Sequence, residues 1–211
     1  MSLRASPGSR VAGVVIFGPP GSGKGTQAEL LVERLGWTHI APGDVLRAER
    51  SAGTVLGNRA AQYLDRGELV PDALIMELIG ERLTAAPAGQ GFVLDGFPRT
   101  LAQAEALDAL LGRLGFGPVR VVLLEVPEDR LRERLRERAL TQGRHDDTPA
   151  TITTRMAVYA AETLPALAHY EALGAVTRIE GTAPIGTVHE SLMRALSEAS
   201  VASPADRGTG R

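Results

Sequence analysis

Residues Val11 to Thr26 read Val-Ala-Gly-Val-Val-Ile-Phe-Gly-Pro-Pro-Gly-Ser-Gly-Lys-Gly-Thr, and this stretch sets the fold of the chain. Its first seven residues are a continuous apolar run ending at Gly18, which is typical of a buried parallel strand. The glycine-rich segment that follows matches G-x-x-x-x-G-K and opens a helical pattern. We therefore predict a phosphate-binding loop, whose backbone N–H groups and adjoining helix end bind phosphate oxygens.

Strand and helix patterns alternate along the rest of the chain. Further strands are predicted at residues 37–40, 92–94, 119–126 and 176–179, and helices at 26–35, 101–114, 127–140 and 152–173. Pro165 should kink or interrupt the last helix, because proline lacks a backbone N–H. The alternation predicts an α/β fold with a parallel sheet covered on both faces, and ligands of such sheets bind at the carboxyl ends of the strands.

Length and composition indicate an ordinary globular chain of 211 residues, 44% hydrophobic and 23% charged. Residues 11–199 are expected to form one domain, with a loose leader at 1–10 and a loose tail at 200–211. The net charge of −2 argues against a protein that coats nucleic acid. Without cysteines, a signal-like segment or a membrane-length apolar run, we expect a cytoplasmic protein with no membrane partner and no cysteine-bound zinc. The few inserts favour a monomer.

Lys24 is the only lysine, whereas the other 22 basic residues are arginines. A chain so rich in arginine does not need lysine for ordinary surface charge. The single lysine therefore indicates a site that requires a compact ammonium, here one that reaches the β- and γ-phosphates of a nucleotide. The next residue is Gly25, and a hydroxyl comes only at Thr26, so we expect Mg²⁺ to be held through water rather than directly.

Four segments resemble the adenylate kinases. They are Gly23-Lys-Gly-Thr-Gln27, Thr38-His-Ile-Ala-Pro-Gly-Asp-Val-Leu-Arg47, Gly91-Phe-Val-Leu-Asp-Gly-Phe-Pro-Arg-Thr100, and Gly143-Arg-His-Asp-Asp147 followed by Arg155. The resemblance implies a P-loop NTPase-type five-stranded parallel sheet with helices on both faces. It also implies a flap over the monophosphate at 41–70, a short lid at 138–148 without structural zinc, and MgATP and AMP as substrates.

The same resemblance assigns site residues. The residues implied at ATP are Gly21, Ser22, Gly23, Lys24, Gly25, Thr26, Arg134, Arg138 and Gly181. Those implied at AMP are Pro42, Arg47, Glu68, Leu69, Val70, Gly96, Phe97, Pro98, Arg99, Gln103, Arg144 and Arg155. The implied catalytic set is Lys24, Arg99, Arg138, Arg144 and Arg155, and Asp95 and Asp44 would orient the water shell of Mg²⁺. Leu69 and Val70 could equally belong to the core.

The helix predicted after residue 126 carries five arginines at every second position from Arg130 to Arg138. Arg132 and Arg136 have glutamates at helical spacing and are interpreted as a solvated ion-pair face. Arg130, Arg134 and Arg138 form a second stripe, in which like charges repel by roughly 0.2–0.5 kcal/mol per pair. A bound anion would offset that repulsion.

Two alternatives remain, a UMP/CMP kinase of the same family and a non-catalytic nucleotide-binding module. Adenylate kinases usually have Ser-Thr where this chain has Ala41-Pro42, which leans toward a pyrimidine. Thr100 and Gln103 lean toward AMP, because in the family this glutamine reads the adenine edge. His39 is interpreted as a structural residue.

Overall fold

A computed structural model describes residues 13–87, 90–117, 119–142 and 148–198. The predicted leader and tail lie outside the described residues. So do Val11 and Ala12 of the first predicted strand, and Arg144 with the rest of 143–147 in the predicted lid. No helix in the described part of the chain is both long and apolar enough to cross a membrane.

Strands and helices alternate as predicted. In chain order the elements are β1 (Gly13–Phe17), α1 (Lys24–Leu35), β2 (Thr38–Ile40), α2 (Pro42–Ser51), α3 (Val55–Leu64), α4 (Asp72–Ala85), β3 (Phe92–Asp95), α5 (Leu101–Arg113), β4 (Arg120–Glu125), α6 (Glu128–Gln142), α7 (Pro149–Val158), a π-helical segment (Tyr159–Thr163), α8 (Leu164–Ala172), β5 (Val176–Glu180) and α9 (Ile185–Glu198). The predicted flap therefore contains α2 and α3.

The five strands form one parallel sheet in the order β2-β3-β1-β4-β5. This confirms the predicted α/β fold. β1 is the central strand, and its Val15 pairs with Leu94 on one side and with Val121 on the other. The loops that follow β1, β3 and β4 consequently meet at one edge of the sheet, where ligands of such folds bind.

Alternate residues of the central strands enter opposite hydrophobic layers, because successive strand side chains point to opposite faces. Val15 and Leu94 belong to the larger layer, which includes residues of α2 to α5 and α8. Val14 and Val93 belong to the layer under α1 and α9. With both faces covered, every residue of β1 is buried, which explains its unbroken apolar run.

The long helix predicted at 152–173 is interrupted at the place that Pro165 indicates. The Leu164 N–H bonds to the Tyr159 carbonyl five residues earlier, which closes the π-helical segment, and Pro165 follows in the first turn of α8. Since proline cannot donate a backbone hydrogen bond, the regular pattern changes just before it.

Candidate active site

One cleft of about 630 Å³ opens at the carboxyl edge of the sheet. It is bordered by the loop after β1, the first turn of α2, the segment after α3, the end of β3, and parts of α6 and α7. Its size falls in the ordinary range of small-molecule sites. Apart from Arg144, which lies outside the described residues, every residue assigned above to ATP, AMP or Mg²⁺ lines this cleft.

The loop after β1 curls through two glycines in the left-handed region, Gly21 (φ 84°) and Gly23 (φ 95°). A side chain would strain either position. Gly23 is the N-cap of α1, so the helix begins at Lys24, two residues earlier than predicted. The Lys24 ammonium donates to the Gly18 carbonyl at 2.7 Å and to the Pro19 carbonyl at 3.0 Å. The helix N-terminus and the ammonium therefore both face the cleft, as an anion site requires.

Several charges act on the Lys24 ammonium. Burial, the largest influence, lowers the pKa of Lys24, and the guanidinium groups of Arg99, Arg138 and Arg155 act in the same direction. The Asp95 carboxylate opposes them, and the resulting pKa is about 8. Positively charged side chains thus lie close together beside the phosphate loop, and an anion bound there would reduce their mutual repulsion.

Asp95, the last residue of β3, interacts electrostatically with Lys24, at the start of α1, and with His39 in β2. Burial by itself raises the pKa of the Asp95 carboxyl, but His39, Lys24 and Arg99 together hold it below the ordinary value. His39 Nε2 lies 3.9 Å from Asp95 Oδ2, and this proximity raises the pKa of His39. His39 therefore interacts with a residue of the cleft wall. The sequence does not indicate this contact, because the two residues are far apart in the chain.

Arg99 lies in the turn after β3, beyond the cis peptide bond between Phe97 and Pro98. Its Nε donates to the Gly96 carbonyl at 2.6 Å. The side chain borders the open cleft, yet burial lowers the pKa of Arg99 to about 10, and the charges of Arg155 and Arg47 act in the same direction. Guanidinium groups from the turn, the flap and α7 therefore surround the same space.

Gln103 lies beside Arg99, although the two residues do not belong to the same helix. Arg99 precedes α5, whose N-cap is Thr100, so the two residues are not one helical turn apart. Instead the backbone N–H of Arg99 donates to Gln103 Oε1 at 2.7 Å. Gln103 Nε2 donates in turn to Asp72 Oδ1 at 2.6 Å. The contact between Asp72 and the glutamine joins α4 to α5 and is formed only in the folded chain.

Residues of the predicted flap form part of the cleft wall. Arg47 pairs with Asp44 one turn earlier in α2. Asp44 does not cap that helix, because the N-cap is Ala41, which makes no side-chain cap. Pro42 occupies the first position of α2 and is buried. Val70 belongs both to the hydrophobic core and to the cleft wall, so the two roles weighed for it are compatible.

Glu68 and Leu69 complete that wall between α3 and α4. The Glu68 carboxylate pairs with Arg66 at 2.8 Å and remains exposed, and Leu69 is partly buried.

The arginines of α6 divide differently from the predicted stripes. Arg134 and Arg138 line the cleft, and Arg134 donates to the Gly181 carbonyl at 3.0 Å. Arg130 instead bonds with Glu133 at 3.0 Å on the exposed side. Of the three arginines in the second predicted stripe, Arg134 and Arg138 therefore border the cleft, whereas Arg130 is not among the residues that line it. Arg132 pairs with Glu128 as expected.

Arg155 reaches the cleft from α7 and packs against the end of the flap segment. A Cβ at Gly67 (φ 71°) would stand 2.9 Å from the Thr151 carbonyl oxygen and 3.2 Å from Arg155 Cγ. Only glycine allows this close approach. The position of Arg155 thus depends on the close packing of α7 against the segment that follows α3.

Metal ligands are sparse. The described residues contain no group of three or more His, Asp or Glu side chains placed to enclose a metal ion. Asp95 and Asp44 both border the cleft, and a Cβ at Gly25 would stand 3.4 Å from Asp95 Oδ2. Two carboxylates at such an edge suit an ion that keeps most of its water ligands.

A P-loop after the central strand of a parallel sheet, in a cleft also lined by arginines of α2, α6 and α7, defines a nucleotide-dependent phosphotransferase. The model of the family described as "Adenylate kinase" matches residues 16–175. The chain belongs to the adenylate kinase family.

Curated relatives agree over most of the chain. An adenylate kinase of Caulobacter sp. (strain K31) is 46% identical over 87% of this chain and 97% of its own length. An adenylate kinase of Thermus thermophilus is 45% identical over 87% and 96%, and one of Stenotrophomonas maltophilia is 43% identical over 87% and 98%. These likenesses confirm a nucleoside monophosphate kinase with adenylate kinase activity, in preference to the UMP/CMP kinase and the non-catalytic module.

Proposed function

We propose that this chain transfers the γ-phosphoryl group of ATP reversibly to AMP, with the phosphate loop and Lys24 at ATP and with Arg47 and Arg99 at the phosphate of AMP. The observation that carries the proposal is the set of cations converging on one cleft. Burial and the guanidinium groups of Arg99, Arg138 and Arg155 depress the pKa of Lys24. In the free protein these positive charges repel one another, and bound phosphates would remove that repulsion.

Phosphoryl transfer requires mainly that the two substrates are positioned correctly and that their negative charge is neutralised. ATP and a monophosphate together carry several negative charges, and more charge spreads over the transferring group in the transition state. Lys24, Arg138 and Arg155 would stabilise that charge, with Arg144 joining them from the lid. A phosphate oxygen is already a competent nucleophile, so the proposal needs no general base.

We propose that Asp95 and Asp44 would hold Mg²⁺ through its water shell. Gly25 offers no hydroxyl for a direct ligand, and the low pKa of Asp95 keeps that carboxyl ionised at neutral pH. Bound with ATP, the ion would neutralise part of the polyphosphate charge. The absence of cysteine supports a lid without zinc. Elemental analysis of purified protein that found stoichiometric zinc would contradict this part.

AMP is proposed as the best acceptor, with a raised KM and looser discrimination than is usual in the family. The resemblance implies that the threonine usual at position 42 directs its hydroxyl at the adenine. Pro42 occupies the first position of α2 without a hydroxyl or an N–H, so that hydrogen bond to the base would be lost. A lost neutral hydrogen bond weakens binding by roughly 0.5–1.5 kcal/mol, or several-fold. Gln103 still lies in the cleft wall to bind the base edge.

A coupled assay for ADP tests these proposals. ADP should form only when ATP, Mg²⁺ and a monophosphate are all present, and kcat/KM should rank AMP above UMP, CMP and GMP. ADP formation from ATP alone would contradict phosphoryl transfer to a nucleotide. A clear preference for UMP or CMP would contradict the choice of AMP while leaving the transfer itself intact. The cytoplasmic location and the monomeric state stay predictions.

A further inference from the structure

Polar groups of four residues form a network of hydrogen bonds between α4 and the start of α5. The Thr100 hydroxyl donates to Asp72 Oδ2 at 3.1 Å and accepts from the backbone N–H of Gln103 at 3.1 Å. Gln103 Nε2 donates to Asp72 Oδ1 at 2.6 Å, and Gln103 Oε1 accepts from the Arg99 N–H at 2.7 Å. Asp72 therefore binds both the cap of α5 and the amide of the glutamine.

This network of hydrogen bonds allows the Gln103 amide only one orientation. An ionised carboxylate accepts and cannot donate, whereas a backbone N–H donates and cannot accept. If the amide turned over, its NH₂ would face the Arg99 N–H and its oxygen would face the Asp72 carboxylate. Both contacts would be repulsive, and Gln103 is only 2% exposed, so water could not compensate for them.

The fixed amide keeps one N–H and one oxygen lone pair unused, since an amide offers two donors and two acceptor positions. Gln103 lines the cleft, so these remaining groups can meet a base there. Adenine presents an amino group beside an unprotonated ring nitrogen. Hypoxanthine has nearly the same shape but reverses the polarity, with an oxo group beside a ring N–H. An amide of fixed orientation can satisfy one of these patterns, and an amide that turns can satisfy both.

We propose that Asp72 is a positioning residue for base selection: by clamping the Gln103 amide, it makes the cleft prefer a 6-amino purine to a 6-oxo purine. This inference rests on the proposed role of Gln103 at the base. Asp72 acts through Gln103 and need not touch the nucleotide. The Arg99 N–H is a second restraint that no side-chain substitution removes, so loss of Asp72 reduces the preference without abolishing it.

The test compares AMP with inosine monophosphate (IMP) as acceptors at saturating MgATP. In Asp72→Asn the side chain can either donate or accept, so it no longer dictates the amide orientation. The ratio of kcat/KM for AMP to that for IMP should fall at least about fivefold, which corresponds to ~1 kcal/mol of lost discrimination. This ratio does not depend on the fraction of active enzyme, because both substrates meet the same molecules.

Three further variants separate the possible outcomes. Asp72→Ser, which keeps a hydroxyl in the first turn of α4, should lower the ratio as Asp72→Asn does. Glu77→Gln removes an exposed carboxylate from the same helix and should leave the ratio unchanged. Gln103→Met removes the reading group itself and should also lower the ratio.

The results distinguish this inference from the proposed function beneath it. If Gln103→Met lowers the ratio and both Asp72 variants retain the wild-type value, Asp72 has only a structural role and the inference is overturned. If Gln103→Met also retains the wild-type ratio, the proposed role of Gln103 at the base is wrong, and the inference falls with it.

Discussion

The side-chain hydroxyl of Thr163 donates a hydrogen bond to the backbone carbonyl of Arg99 at 3.1 Å. Thr163 is the last residue of the π-helical segment, which continues directly from the helix that carries Arg155. Arg99 and Arg155 both border the cleft, and each lowers the pKa of Lys24. One buried hydroxyl thus joins the two segments that supply these arginines, although the residues are 64 positions apart.

Thr163→Val should lower the free energy of unfolding by about 1–2 kcal/mol, because it leaves the Arg99 carbonyl without this donor while nearly preserving the shape of the buried side chain. Urea denaturation measures the effect. Thr153→Val is the matched control. It lies on the exposed face of α7, where its hydroxyl bonds only to the Pro149 carbonyl of its own helix, and it should change stability by less than about 0.5 kcal/mol. Equal effects in the two variants would contradict the importance of the Arg99 contact.

Lys24→Arg should reduce turnover at least about tenfold, or ~1.4 kcal/mol of transition-state stabilisation. The ammonium fits between two carbonyls of the loop at 2.7 and 3.0 Å, and a planar guanidinium is too large for that position. Initial rates with saturating ATP and AMP measure the change. The exchange Arg34→Lys, at an exposed site in the last turn of the same helix, should leave turnover unchanged. Near-normal turnover in Lys24→Arg would refute the argument from the single lysine.

Nucleotide binding should take up protons at alkaline pH. The free protein has a Lys24 pKa of about 8, below the ordinary value, and a bound polyphosphate raises it. The bound state therefore holds more protons than the free state at pH values between the two pKa values. At pH 7 most of Lys24 is already charged, so uptake should be small, whereas at pH 9 it should approach about one proton per site.

Calorimetric titration with ATP in buffers of different ionisation enthalpy measures this uptake. At pH 9 the phosphates of ATP are fully ionised, since the last phosphate pKa lies near ~6, and they contribute little. The variant Lys24→Gln removes the titrating group and should abolish the uptake. Equal proton uptake in wild type and variant would assign it to another residue.

Arg155→Ala should lose mainly turnover, with ATP affinity little changed. Arg155 borders the cleft and lowers the pKa of both Lys24 and Arg99, so it lies among the groups proposed to bind the phosphates. A contact made only in the transition state affects kcat rather than ground-state binding. Steady-state kinetics combined with direct ATP binding separates the two. Arg59→Ala, at an exposed position of α3, removes the same charge and should be neutral for both. Weakened ATP affinity with normal turnover would indicate a ground-state contact instead.

Pro42→Thr should lower the KM for AMP several-fold by restoring a hydroxyl at the mouth of the flap, which corresponds to roughly 0.5–1.5 kcal/mol. Ala41→Ser is the neighbouring control. It adds a hydroxyl at the N-cap of α2, where Ala41 makes no side-chain bond, so it should raise stability by about 0.5–2 kcal/mol without changing KM. An unchanged KM for AMP in Pro42→Thr would contradict the proposal that Pro42 weakens the binding of AMP.

The phosphate loop and the alternation of strands and helices along the chain were accessible from sequence because their signals are local. A buried strand, a curl of glycines and a helix start lie within sixteen consecutive residues, Val11 to Thr26, and each has its own composition. The break before Pro165 was predicted for the same reason, since the missing N–H acts on its own helix.

The α6 arginines show where local reasoning fails. Arg130 and Arg134 occupy the same stripe by spacing, yet Arg130 pairs with Glu133 and Arg134 bonds to the Gly181 carbonyl. Position along a helix gives the direction of a side chain but not its partner. The partner of Arg134 comes from the loop after β5, 47 residues away, and only the packed sheet brings it within reach.

The sequence by itself thus determined three features: a parallel α/β sheet, a phosphate loop with a single lysine, and many arginines that are available to bind anions. The tertiary structure decided which groups restrain one another. The Asp72–Gln103 bond and the proximity of His39 to Asp95 join residues from different elements. Hydrogen-bond orientation and pKa depend on distances of a few ångströms between such groups, and the chain acquires those distances only when its helices pack on the sheet.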